Sequence, residues 1–223
     1  METTAKARLT AGCRVAAAGL VAWLALPAGE ARAQGRPEPT YGRLAGDVTL
    51  VGGLGAVVAA RGVRAEGEVR LRYLESAGVF ASYEDAALVG SAAEPVRVLT
   101  TGLELRPLFL GRWLTGRETQ RARLDLVLDS FGLELGATFA QPAGASFASR
   151  AGVQAGLGLE VPLLPDATGP WIGLHAGARW SDDALATGVV RDADDRSAYL
   201  AITLAWHQVV AAHLVDVGDR APR

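Results

Sequence analysis

The sequence predicts an all-β fold, an up-and-down antiparallel barrel of about eight strands, and three observations carry that reading. Apolar side chains recur at alternate positions in one segment after another, which is the period of a strand. The segments follow one another through connections of small and polar residues, as a meander requires. The opposite faces combine glycine with arginine and glutamate, and the only lysine in the chain is Lys6.

Residues 1–33 read as a secretory signal peptide. Lys6, Arg8 and Arg14 make a basic front, "VAAAGLVAWLALPAG" at 15–29 an apolar middle, and "ARA" at 31–33 the small-residue spacing of a cleavage site before Gln34. The apolar run contains Pro27 and falls short of the about 20 residues of a helical membrane span. Cys13, the single cysteine, lies ahead of that run and leaves with it, so neither an intramolecular disulfide nor a cysteine-built metal site is available. Residues 34–43 form a short polar lead, and residues 44–207 carry the alternation.

The first strand is expected in 46–59, with Val48, Leu50, Leu54, Ala56 and Val58 opposite Asp47, Thr49, Gly53 and Gly55. In 63–75, Val69, Leu71 and Tyr73 oppose Arg64, Glu66, Glu68, Arg70 and Arg72. A shorter, weaker segment follows at 78–85 and includes Tyr83. In 97–107, Leu99, Leu103 and Leu105 oppose Thr100, Gly102, Glu104 and Arg106. The second half is cleaner: Phe131, Leu133, Leu135, Ala137 and Phe139 oppose Gly132, Glu134, Gly136 and Thr138. In 150–163, Val153, Ala155, Leu157, Leu159 and Val161 oppose Arg150, Gly152, Gln154, Gly156, Gly158 and Glu160. In 170–180, Ile172, Leu174, Ala176, Ala178 and Trp180 oppose Gly173, His175, Gly177 and Arg179. The last strand, 197–206, places Leu200, Ile202, Leu204 and Trp206 on one face. One connection, 107–129, is long, and its apolar parity flips before Phe131, so a bulge or a short amphipathic helix is expected near Asp129. Residues 208–223 follow as a C-terminal extension.

A soluble β-sandwich also alternates, but its water-facing strand positions favour Lys, Thr, Ser and Gln, whereas glycine in such strands is destabilising. Glycine mixed with Arg and Glu instead suits the narrow interior of a small barrel, where side chains fill the lumen. The apolar parity then faces lipid. Phe131 and Phe139 share that face about 20 Å apart along the barrel axis, close to the height of an apolar band bounded by aromatic girdles. Tyr73, Tyr83, Trp180 and Trp206 complete the expected interface aromatics.

The signal peptide, eight alternating strands, Gly/Arg/Glu inner face and final "YLAITLAW" resemble the small outer-membrane β-barrel proteins of Gram-negative bacteria. The Ala-, Gly- and Arg-rich usage is similar to that of high-GC organisms such as myxobacteria. The resemblance implies a transmembrane barrel spanning 44–207 and a periplasmic lead at 34–43. It also implies outer-membrane lipid as surroundings and the barrel-assembly machinery as a partner in biogenesis. The chain departs from that pattern in continuing past Trp206 and His207.

Chemistry-bearing motifs are sparse. The formal net charge of −2 carries no basic excess and so points away from a nucleic-acid partner. "GGLGAVVAARG" lacks the phosphate-loop pattern and lies within a strand. "DADD" at 192–195 lacks calcium-loop spacing. His175 is inward and mid-strand rather than at a rim, where a lipid-modifying barrel enzyme would need it; His207 and His213 are expected at water or the interface. No metal, cofactor or catalytic set is expected. The strongest constellation is the inward charge set Arg64, Glu66, Glu68, Arg70, Arg72, Glu104, Arg106, Glu134, Arg150, Glu160, His175 and Arg179. Near-equal numbers of both signs favour a salt-bridged structural plug over an ion-selective pore. The expected role is structural or through the external loops. The alternatives are a small channel for solutes or apolar molecules, a rim-active lipid-modifying enzyme, or a secreted soluble barrel binding a ligand inside.

Overall fold

The computed structural model describes residues 40–187 and 196–212. Eight strands form a closed barrel in which every neighbouring pair is antiparallel and sequential. They are β1 (Val48–Ala59), β2 (Gly62–Tyr73), β3 (Ala77–Asp85), β4 (Arg97–Leu105), β5 (Gly132–Gln141), β6 (Gly152–Pro162), β7 (Gly169–Trp180) and β8 (Arg196–Val210). Closure comes from β8 lying back along β1, with Val210 opposite Val48 and Tyr199 opposite Ala59. A closed sheet leaves no unpaired edge, which is the condition for a sheet in a medium that offers no hydrogen bonds. The leader expected at 1–33, "DADD" at 192–195 and His213 lie outside the described residues.

Parity sorts the side chains as the alternation demands. Leu54, Val69, Leu71, Leu103, Leu135, Leu157, Ile202 and Leu204 are exposed on the outside. Thr49, Arg64, Glu68, Arg72, Thr100, Glu104, Glu160 and Thr203 are buried inside. Inner glycines make room. A Cβ on Gly177 would come within 2.2 Å of the Ala155 carbonyl oxygen and 2.9 Å of the Tyr199 ring. On Gly156 it would meet the Tyr199 hydroxyl at 2.5 Å. Tyr199 thus lies against a wall that only glycine can form.

The six aromatics expected at an interface fall at two levels along the barrel. Tyr73 is opposite Val48 at the start of β1, and Phe131 and Trp206 lie at the same end of the barrel, where both described chain ends emerge. At the other end Tyr83 and Phe139 both register with Leu99, and Trp180 is opposite Val153.

The 107–129 connection contains two helices, α1 (Leu108–Leu114) and α2 (Ala122–Asp129). Pro107 occupies the N-cap of α1, where its fixed φ and missing N–H cost nothing. α2 is helical although Leu124, Leu126 and Leu128 alternate, so the short helix near Asp129 absorbs the parity flip without a bulge. Leu126 is buried, while Leu124 and Leu128 are exposed. Ser130 then pins the helix end to β6: its hydroxyl donates to the Glu160 carbonyl and accepts from the Glu160 N–H, both at 2.8 Å. A third short helix, α3 (Asp182–Thr187), follows β7. The final strand extends past His207 to Val210, further than the alternation in 197–206 suggested.

Candidate functional site

The lumen is filled by ion pairs in two groups, with a third in the helical segment at the end where residues 40 and 212 lie. Arg70 is the hub of the first. Its guanidinium reaches Glu68 at 2.7 Å, Glu134 at 2.6 Å and Glu104 at 3.3 Å. His175 Nδ1 lies 2.9 Å from Glu134 and 3.2 Å from Arg70. Arg72 joins Glu104 at 3.0 Å to Glu160 at 2.7 Å. Arg106 bonds Glu104 at 2.8 Å, Glu75 at 3.2 Å, and Glu160. Thr203 closes the set by donating to Glu68 at 2.7 Å. A guanidinium presents five donors in a rigid, planar fork against the three of an ammonium, so one arginine can hold several carboxylates in fixed directions. That geometry explains a lumen built with arginine and without lysine.

The second group lies towards the far end. Glu84 accepts from Arg64 Nε at 2.8 Å and from both terminal nitrogens of Arg179, while Arg179 Nε bonds Gln154 at 2.7 Å. The Arg179 guanidinium also stacks over Tyr199, 4.3 Å from the ring centre. Between the two groups, Glu66 Oε2 and the Tyr199 hydroxyl are buried without hydrogen-bond partners among the described residues.

The third group seals the barrel end that α1 and α2 occupy. Asp129 accepts from Arg43 and, at 2.6 Å, from Arg112; Glu118 lies 3.3 Å from Arg43. Asp125 accepts from Arg112, from the Tyr41 hydroxyl at 3.0 Å and from the Thr119 N–H at 2.9 Å. The Arg43 guanidinium lies 4.2 Å over the Phe109 ring, which is fully buried. Leu126, Ala167 and Trp171 form the apolar centre of this cap. Burial, the Asp125 hydrogen bond and the Asp125 charge push the Tyr41 hydroxyl up to about 12. Burial also raises the Glu118 carboxyl, against the pull of Arg43. Asp125 moves the other way: burial would raise it, but the Thr119 N–H, Arg112 and Tyr41 hold it below the usual carboxylate range.

Several expectations need correction. Arg150 is exposed ahead of β6 and takes no place among the lumen pairs, because the strand begins only at Gly152. His207 is buried rather than at water: odd positions of β8 face inward, and its ring stacks on Trp171 at 4.5 Å, 3.5 Å from Glu160. Near-equality of charge also fails. With Glu75 and Glu84 inside and Arg150 outside, the inner carboxylates Glu66, Glu68, Glu75, Glu84, Glu104, Glu134 and Glu160 outnumber the guanidiniums of Arg64, Arg70, Arg72, Arg106 and Arg179. At the far end the barrel opens into a cavity of about 230 Å³, whose lining includes Arg64, Val98, Ala140, Arg150, Arg179 and Trp180.

No protein-family model matches the chain, and no curated protein matches it in sequence. Among solved structures, the barrel matches the N-terminal β-barrel domain of Pseudomonas aeruginosa OprF. Identity is 6%, the TM-score 0.42, and the match covers 73% of this chain and 98% of that one. It also matches Neisserial surface protein A (NspA), at 13% identity and a TM-score of 0.37, over 71% of this chain and 94% of that one.

Proposed function

We propose that this protein is an outer-membrane β-barrel whose lumen is closed by charge pairing, and whose role is structural or exercised through its external loops. The partition of side chains carries the reading. Exposed leucines, valines and isoleucines ring the outside, while buried arginines and glutamates fill the inside. A soluble barrel that stores an apolar ligand has the opposite arrangement. In water an apolar belt of this extent would aggregate, whereas in a bilayer it is the required surface. Two levels of aromatic residues, Tyr73, Phe131 and Trp206 against Tyr83, Phe139 and Trp180, support the same placement. The leader ending at Ala33, lipid surroundings and delivery by the barrel-assembly machinery belong to this proposal.

Fractionation of cells expressing the full chain tests it. The protein should sediment with outer membranes and begin at Gln34; recovery in the soluble fraction would overturn the reading. The far-end cavity favours a second role, capture of a small molecule at the loops. An NMR screen of the folded barrel that shifts Val98, Ala140 and Trp180 together would establish it.

A further inference from the structure

The helical cap presents a surface that sealing the lumen does not require. Residues 107–131 contain the acidic side chains Glu118, Asp125 and Asp129, and all three are turned inward onto Arg43, Arg112 and Tyr41. Arg117, Arg121 and Arg123 are turned outward and exposed. Beside them Leu108, Trp113, Leu114, Leu124 and Leu128 are exposed, and Leu114, at 74%, is the most exposed large apolar side chain among the described residues. The neighbouring turn adds exposed Leu163 and Leu164, tied to α2 by a 3.1 Å bond from Arg123 to the Leu163 carbonyl. Asp166 of that turn is directed onto the Thr168 N–H at 2.8 Å. The anions of 107–131 are thus used within the cap, and what that segment turns outward is cationic and apolar, with the exposed carboxylate of Asp166 beside it on the neighbouring turn.

That combination is the signature of a segment lying in a membrane interface. The chain path supports it. α1 follows Leu105 closely and α2 leads into Leu133, its partner on the paired strands β4 and β5, with Phe131 just ahead of β5, and these residues border the apolar belt. The cap is therefore tethered at both ends where the belt meets the headgroup level. We propose that the outer surface of α1, α2 and the intervening loop docks on anionic phospholipid headgroups of the leaflet on the side of the chain ends. The arginines engage phosphate, and Leu114 and Trp113 enter the acyl boundary. This inference rests on the membrane reading above.

Its test uses the full chain with Cys13→Ser and Leu114→Cys, carrying a nitroxide at 114. The chain is folded into vesicles of phosphatidylcholine alone or of equal parts phosphatidylcholine and phosphatidylglycerol. A parallel label at 200 on β8 reports the belt. With phosphatidylglycerol the label at 114 should become inaccessible to a polar paramagnetic collider. The ratio of docked to undocked signal should fall about fivefold for each of Arg117, Arg121 and Arg123 changed to Ser, and should fall with salt in the unsubstituted background. Equal accessibility at 114 in both vesicles, with 200 in lipid, would overturn the docking and leave the barrel reading standing. A water-exposed label at 200 would overturn both.

Discussion

At the scale of single residues, the buried charges differ in how many partners depend on them. Among the described residues Glu84 is the one carboxylate paired with Arg64 and Arg179, so Glu84→Gln leaves two guanidiniums facing a neutral acceptor. Stranding a buried charge costs about 3–5 kcal/mol, and hydration of the lumen would reduce that figure. Glu134→Gln should cost less, because Arg70 keeps Glu68 and Glu104. Glu66→Gln should cost least of the three, since no ion pair among the described residues holds Glu66. Urea titration of the folded barrel should rank the variants in that order; Glu66→Gln as the most damaging would mean that Glu66 holds an essential partner. Asp125 supplies a pH test. Its carboxyl is held below the ordinary range in the fold, so its stabilisation is complete above about pH 4 and is lost as pH falls through the folded value. Hydrogen exchange in 107–129, corrected for intrinsic rates, should rise in acid while the strands stay protected. Asp125→Asn should expose the same segment already at neutral pH and flatten that acid dependence.

At the scale of elements, the strands were legible because the two faces of each are chemically unlike, and a period of two survives where one face is Leu and Val and the other Gly, Arg and Glu. β3 was less so: its inner face is Phe80, Ser82 and Glu84, which hid Glu84, the partner of two arginines. Alternation places Arg150 in the lumen because it continues formally through a loop whose backbone has left the sheet. His207 escapes it because the strand runs on to Val210, beyond the 197–206 segment in which the parity is clear. Of the helices of 107–129, α2 is the short helix expected near Asp129, while α1 leaves no sign in the pattern because about two turns are too few to establish a period. Their burial is set by Arg43, a residue distant in sequence. The elements also predict which glycines are fixed. Gly177→Ala forces a methyl into backbone and should block folding, whereas Gly67→Ala, with only a Leu54 methyl at 3.6 Å, should fold normally. Leu200→Arg, placed on the outward face of β8, should cost about 2–4 kcal/mol near the bilayer midplane. The heat-modified shift of the folded band on a gel reports all three, and equal recovery of the Gly177 and Gly67 variants would contradict the inner-wall packing.

For the whole molecule, two barriers lie in series along the barrel axis. Ion pairs around Arg70 and Glu84 fill the lumen, and the Arg43–Asp129–Arg112 set closes one end behind them. Removing the end seal alone should therefore not create a pore. Asp129→Ala leaves Arg43 with Glu118 and Arg112 with Asp125, and should loosen α2 while planar-bilayer currents stay near the background of the unsubstituted barrel. Combining Asp129→Ala with Glu84→Gln loosens the end seal and one of the two lumen groups, leaves the Arg70 group as the remaining constriction, and should admit brief openings. The sign of the current is set by what remains inside. Carboxylates already outnumber guanidiniums on the inner wall, and an acid-lined constriction favours cations. The excess shrinks by one in the Glu84 variant but does not reverse, so the double variant should pass potassium ahead of chloride, read as the sign of the reversal potential across a salt gradient. Large, steady currents from the unsubstituted protein would overturn the closed lumen. Anion-selective openings in the double variant would instead place the current-limiting charges outside the inner wall, at the arginines of the far-end cavity.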